Sequence, residues 1–259
     1  MSAFTPDTFL VADVVPSPSH DERKQGRKPD MIVLHYTGMK TGEAALQRLC
    51  KSESKVSAHY VVFEDGHIVQ CVPETFRAWH AGVSSWGGEK DINSCSIGIE
   101  IVNPGHEFGY PDFPLRQIAA VISLCKSINT RRGPISSVRI LAHSDVAPGR
   151  KQDPGEKFPW EQLSDSGVGH WVRPAPLNLE GTALHPGEQG DAVRRLQRVL
   201  HGYGYGYDVE ETGTYDDATR EVVAAFQRHF RPAQVDGVAD ASTLLTLRAL
   251  LETRPAPLT

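Results

Sequence analysis

Three short apolar runs constrain this chain more than any other feature: MIVLHYT (31–37), SIGIEIVN (96–103) and SVRILAH (137–143). Each contains β-branched residues and is too short for a buried helix, so each reads as a strand. HYVVFEDGHIVQCVP (59–73) adds two strand-like runs around Asp65-Gly66, a hairpin signal. Helical patterns lie between. GEAALQRLCK (42–51) groups Leu46, Leu49 and Cys50, and LRQIAAVISLCKSINTRRG (115–133) repeats Ile118, Val121, Ile122, Cys125 and Ile128 before Gly133 and Pro134 stop it. Strands interspersed with helices imply an α/β unit, a mixed central β-sheet flanked by helices, with ligand-bearing loops at the strand ends.

Two details within that frame carry chemistry. In SIGIEIVN, Ile97, Ile99 and Ile101 share one face while Gly98, Glu100 and Val102 share the other, so Glu100 points away from the isoleucine layer. SVRILAH delivers His143 into LAHSDVAPGRKQDPG (141–155), which is poor material for a helix or a central strand. Such a loop is expensive unless it holds something.

After Trp171 the pattern changes. VRPAPLNLEGTALHPGEQG is rich in Pro and Gly and lacks periodicity, and residues 173–183 read as a linker. Beyond it come three capped helices: Asp191 before Val193, Leu196 and Leu200; Asp216 before Val222, Phe226 and Phe230; Asp240 before Leu244, Leu247 and Leu251. The expected division is 1–172, with an N-terminal extension over 1–29, then the linker, then a small three-helix bundle over 184–259.

Composition removes several function classes. A net charge of −5 with no basic block among aromatics argues against nucleic-acid binding. No run approaches the ~20 apolar residues of a transmembrane helix. The N-terminal stretch lacks a basic n-region, Asp13 breaks its apolar run, and no lipid-attachment Cys follows, so a cytoplasmic protein is expected, with the periplasm or cell envelope as the alternative. Cys50, Cys71, Cys95 and Cys125 show no CxxC spacing and read as reduced, mostly buried thiols.

His35 at one strand end, His143 at the exit of another and Asp153 ten residues later form a possible zinc donor set, since catalytic zinc takes three such protein ligands. The residues alone leave that open. His35 also fits a hydrogen-bonded strand-end histidine, and Asp153 before Pro154 also fits a turn initiator. His59 reads as a core histidine.

In order along the chain, HYTG, SAHYVVFEDGHIVQCVPE, RAWHAGVSSWGG, NSCSIGIEI and AHSDVAPGRKQDPG followed by FPW resemble the zinc-dependent N-acetylmuramoyl-L-alanine amidase (amidase-2) family over residues 28–172. The resemblance implies a sheet with a zinc groove, with Zn2+ held by His35, His143 and Asp153, and with Glu100 and Lys151 catalytic. It implies hydrolysis of the amide between N-acetylmuramic acid, or its 1,6-anhydro form, and L-Ala of the stem peptide. Glu100 would carry the proton and Lys151 would stabilise the oxyanion. RAWHAG is expected to line the groove. Arg77 would meet a stem-peptide carboxylate, and Trp79 and His80 would flank the zinc site or the Ala side.

GEQGDAVRRLQRVLHGYGY, TGTYDDATREVVAAFQRHF and VDGVADASTLLTL resemble a peptidoglycan-binding three-helix module over 184–251, with FRPAQVDG departing from the usual second-helix tail. Together the two parts look most like the two-domain amidases, whose partners are peptidoglycan fragments or muropeptides. Two rival readings remain: a non-catalytic peptidoglycan-recognition protein, and a zinc peptidase acting within the stem peptide.

Overall fold

The computed structural model describes residues 4–206 and 210–255, so the outermost residues of both expected domains, 1–3 and 256–259, lie outside it. Among the described residues eight strands form two sheets: β1 (Asp13–Val14), β2 (His20–Glu22), β3 (Met31–Tyr36), β4 (Tyr60–Val62), β5 (Ile68–Gln70), β6 (Phe76–Ala78), β7 (Ser96–Ile101) and β8 (Ile140–Ala142). The main sheet has the order β1-β5-β4-β7-β3-β8, and β2 pairs with β6 apart from it. Only β4 and β5 run antiparallel in the main sheet, joined through the Asp65-Gly66 turn as the sequence indicates. The β4·β7, β7·β3 and β3·β8 pairs are parallel. Four chain exits therefore gather at one end of the sheet, after β3, β4, β7 and β8.

The two faces of this sheet do different work. Ile32, Leu34, Ile97, Ile99 and Ile101 bury one face against α3 (Leu115–Arg132), whose Ile118, Val121, Ile122, Cys125 and Ile128 supply the matching stripe. Spacing of 3.6 residues on the helix meets alternation on the strands, and removal of that apolar area from water holds the layer. On the opposite face Met31, Val33 and Leu141 pack into a second core that continues into the C-terminal helices. Beyond Val33 that face carries His35, in register with Glu100 on β7.

Helix α1 (Gly42–Leu49) starts at Thr41, whose side chain accepts from Ala44 N, and covers the third cluster around Leu49, Val61, Val69 and Cys71. Short helices α2 (Ile92–Cys95), α4 (His143–Val146) and α5 (Trp160–Asp165) connect the larger elements. The expected strand at 137–143 is shorter than its run: residues 137–139 form a 3₁₀ turn, and helix α4 begins at His143 itself. The C-terminal helices are α6 (Asp191–Tyr203), α7 (Asp217–Phe230) and α8 (Ala241–Glu252). Asp216 and Asp240 cap α7 and α8 by accepting from Thr219 N and Thr243 N, whereas Asp191 is the first helical residue of α6 and Gly190 holds its cap position. All four cysteines are free thiols, three of them buried. No helix among the described residues is long and apolar enough to cross a membrane.

Candidate metal and active site

A cleft of ≈ 260 Å³ opens where β3, β7 and β8 end, lined by His35, Trp79, His80, Glu100, His143, Lys151 and Asp153 among others. His35 arrives at the penultimate position of β3, Glu100 beside it on β7, and His143 immediately after β8. Asp153 returns along the loop, where Ser144 N donates to Asp153 O at 3.0 Å and Lys151 N to Ala147 O at 3.1 Å. Tyr110 secures the far end, its hydroxyl donating to Pro154 O at 2.7 Å. A side chain at Gly155 would drive into that hydroxyl, at 2.2 Å, and its φ of +85° excludes most residues besides.

His35 Nδ1, His143 Nδ1 and one oxygen of Asp153 lie within 4.8 Å of one another, and all three residues are buried. His35 Nδ1 is 2.8 Å from His143 Nδ1, and Asp153 Oδ2 is 3.2 and 2.9 Å from the two nitrogens. The backs of the imidazoles say which atoms carry protons. His143 Nε2 lies 3.1 Å from Ala81 O, which can only accept, so Nε2 donates. Behind His35, the Ser96 hydroxyl donates to Ile92 O at 2.6 Å and can therefore accept from His80 Nε2 at 3.1 Å. His80 Nδ1 is then free to accept from His35 Nε2 at 3.0 Å.

The inner nitrogen of His35 is thereby left as a lone pair facing His143 Nδ1 and a carboxylate oxygen. Burial, aided by the neighbouring His143, pushes His35 down to about 4, so its ring is neutral. Burial works against ionisation of Asp153, yet the two histidines hold its carboxyl well below the usual range. Two imidazole nitrogens and a carboxylate converging on one point suit a cation with affinity for nitrogen and oxygen.

Glu100 differs from the carboxylates around it. Burial first, and then Asp153, push its carboxyl up to about 8, and its buried Oε2 has no hydrogen-bond partner among the described residues. Lys151 lines the same cleft and is half-buried, so the loop brings Lys151 and Asp153 to one place, as an extended course suggests.

Of the residues expected to touch substrate, the structure brings two to the cleft. Trp79 lines it, with Nε1 donating to Asp21 Oδ1 at 2.9 Å. His80 lines it too, but both ring nitrogens are engaged, by His35 and Ser96. Gly98 makes room for that ring, since a Cβ there would stand 2.4 Å from His80 Cγ. Arg77 is not brought to the cleft: Asp91 and Asp21 hold its guanidinium. His59 is a core residue, accepting from Gly98 N at Nδ1 and donating from Nε2 to Phe76 O. Sequence reasoning missed Ser96 and the carbonyl of Ala81, which set the two tautomers. The strand glycine at 98 was the available signal, because glycine inside a strand marks a close approach.

Comparison with known proteins agrees with this geometry. A family profile described as N-acetylmuramoyl-L-alanine amidase matches residues 25–156, and one described as a putative peptidoglycan binding domain matches 189–247. The N-acetylmuramoyl-L-alanine amidase AmiD of Escherichia coli is 38% identical over 251 residues, which is 90% of this chain and 87% of that protein. The crystal structure of AmpDh3 from Pseudomonas aeruginosa superimposes with a TM-score of 0.73 at 33% identity, covering 90% of this chain and 95% of that one. A complex of E. coli AmiD with the substrate anhydro-N-acetylmuramic acid-L-Ala-D-gamma-Glu-L-Lys gives 0.71 at 36% identity, covering 88% and 91%. With a mixed sheet, a C-terminal helical unit and these relatives, the chain belongs to the N-acetylmuramoyl-L-alanine amidase family and is an amide hydrolase of the cell wall.

Proposed function

We propose that the chain hydrolyses the amide between 1,6-anhydro-N-acetylmuramic acid and the L-Ala of its peptide, with Zn2+ held by His35, His143 and Asp153. The observation that carries this reading is the convergence of those three buried donors beside a carboxyl and an ammonium in one cleft. Zinc bound there supplies Lewis acidity toward the scissile carbonyl and acidifies water. Everything else falls to side chains of this protein. Glu100 takes a proton from the attacking water and passes it to the departing Ala nitrogen, its burial raising the proton affinity that the first transfer needs. Lys151 meets the negative charge that develops on the carbonyl oxygen, a contribution on the order of 10²–10³ in rate for one such donor. His80 and Ser96 hold the His35 tautomer, and Trp79 forms a wall of the cleft.

The experiment is release of L-Ala-led peptide from anhydro-muropeptide, with and without a chelator. Release that stops on chelation and returns with Zn2+ is expected. Release indifferent to chelation removes the metal from the reaction, new D-amino-acid termini indicate cleavage within the stem peptide, and no release at all favours a recognition protein. Asp153→Ala is expected to lower bound zinc below one per chain in metal analysis. Four free thiols fit a reducing compartment, so the reading places the protein in the cytoplasm, and fractionation of the host tests that.

A further inference from the structure

Between His143 and Asp153 lies Asp145, a carboxylate with no solvent exposure whose partners come from the C-terminal helices. The Tyr205 hydroxyl, just after α6, donates to Asp145 Oδ1 at 2.7 Å. His229 Nδ1, on α7, donates to Oδ2 at 2.6 Å. The same Oδ2 accepts from Ala142 N at 2.8 Å, the bond that turns the chain from β8 into α4 and sets the position of His143. Tyr205 and His229 are themselves 0% and 2% exposed, so neither can swing aside without opening the core. His229 is stacked between Trp160 and Phe230, at 3.7 and 3.8 Å between ring centroids.

We infer that Tyr205 and His229 are positioning residues for the metal site: the C-terminal helical unit holds Asp145, and through it the turn that presents His143 and the loop that returns Asp153. The inference rests on the zinc reading above. Its physical basis is the cost of a buried carboxylate without partners. With one donor gone, the buried carboxylate is left short of a partner and shifts from the position in which it holds Ala142 N. Ser144 N, one residue from Asp145, donates to Asp153 O, so the displacement reaches a second ligand. Partners that orient metal ligands typically cost 10–100-fold in metal affinity when removed. A helical unit that served only to grip the wall would leave zinc affinity untouched.

The test uses the full chain. Zinc affinity is read by competition with a chromophoric chelator, and hydrogen exchange across residues 143–153 is read in metal-free protein. Tyr205→Phe and His229→Ala are each expected to weaken zinc binding about tenfold, to lower kcat with little change in KM, and to raise exchange in the loop. His229→Asn, whose amide can reproduce the Nδ1 donor, is expected to recover most of both. Leu250→Ala, a buried change in α8 that removes none of the hydrogen bonds to Asp145, controls for global stability and should leave affinity per folded molecule unchanged. Affinity and loop exchange within twofold of wild type in folded Tyr205→Phe, or equal weakening in Leu250→Ala, overturns the inference. Should His229→Ala not fold, Tyr205→Phe decides alone, since it removes a single oxygen. Wild-type protein that binds no zinc overturns the metal reading itself.

Discussion

Two buried polar clusters sit at the two ends of β7, and they are built on opposite plans. At its start, Arg23 donates from Nε and Nη2 to Glu74 O and from Nη1 to the carbonyls of Asn93 and Ser94. The fully buried Glu74 carboxylate accepts from Tyr60, from both terminal nitrogens of Arg131 and from Arg132 Nε. No side-chain polar atom of Arg23, His59 or Glu74 lacks a partner. At the other end of β7, His35, His143 and Asp153 turn their metal-ligating atoms toward one another, and Glu100 Oε2 has no hydrogen-bond partner among the described residues. A closed network spends its polarity on the fold, whereas an open one keeps it for a visitor. Buried groups that are strongly perturbed and still unsatisfied are thus a better mark of a working site than burial or charge alone.

The largest effect expected from breaking this contrast is on turnover. Glu100→Gln should lower kcat by about 10³, within the usual range for loss of a positioned proton carrier, while zinc content stays at one per chain. Near-normal turnover would remove Glu100 from the chemistry. The matching change at the closed end should do the reverse. Glu74→Gln leaves Arg131 without its counter-charge and Arg132 with Asp7 alone, and should cost on the order of 3 kcal/mol of stability, read by denaturant unfolding, with kcat per folded molecule unchanged.

Acid sharpens this. Burial opposes ionisation of Glu74, but Arg131, Tyr60 and Arg132 keep its pKa below the usual value. A depressed carboxyl gives stability above its unfolded pKa of ~4.3 and loses it as pH falls toward the lower folded value. Wild-type stability should therefore drop below about pH 4, and Glu74→Gln should flatten that slope.

Much of the frame was legible because it is local. Alternation in SIGIEIVN placed Glu100 opposite the isoleucines, and the 3.6-residue stripe from Ile118 to Ile128 gave α3 and the face it covers. The metal donors were legible only through family resemblance, since no spacing rule brings His35 next to Asp153, 118 positions later. Long-range pairing also defeated the reading of Arg77. Asp91 and Asp21 take its guanidinium, and nothing near RAWHAG announces them. The helical turn at His143 was hidden by a Pro- and Gly-rich loop, because Asp145, three positions on, satisfies Ala142 N. The tail's helices were visible from their periodicity, but its grip on the metal loop was not. His229 and Asp145 are 84 positions apart and belong to segments that look independent in sequence.

A smaller effect should come from the proton order behind His35. Ser96→Ala leaves His80 Nε2 without its acceptor, so the His80 ring loses the reason to keep its lone pair toward His35. Zinc affinity should fall about tenfold with the fold intact, the low end for a group that orients a ligand. Unchanged affinity would show that the Ala81 carbonyl and Asp153 suffice to hold the site.

The smallest effect concerns stability at the open end, and its sign is the informative part. A carboxyl whose folded pKa is raised contributes its stability below the unfolded pKa of ~4.3 and loses it as pH rises through about 8. At pH 7 metal-free protein must hold Glu100 protonated against its unfolded pKa, a cost that the neutral amide of Glu100→Gln does not carry. The metal-free variant should be more stable than wild type by on the order of 1 kcal/mol at pH 7, with the gain fading toward pH 4. The same Glu→Gln change thus raises stability at one end of β7 and lowers it at the other. A loss of stability at both ends would mean that Glu100 has a partner in solution, and that the openness of the site is not what sets its carboxyl apart.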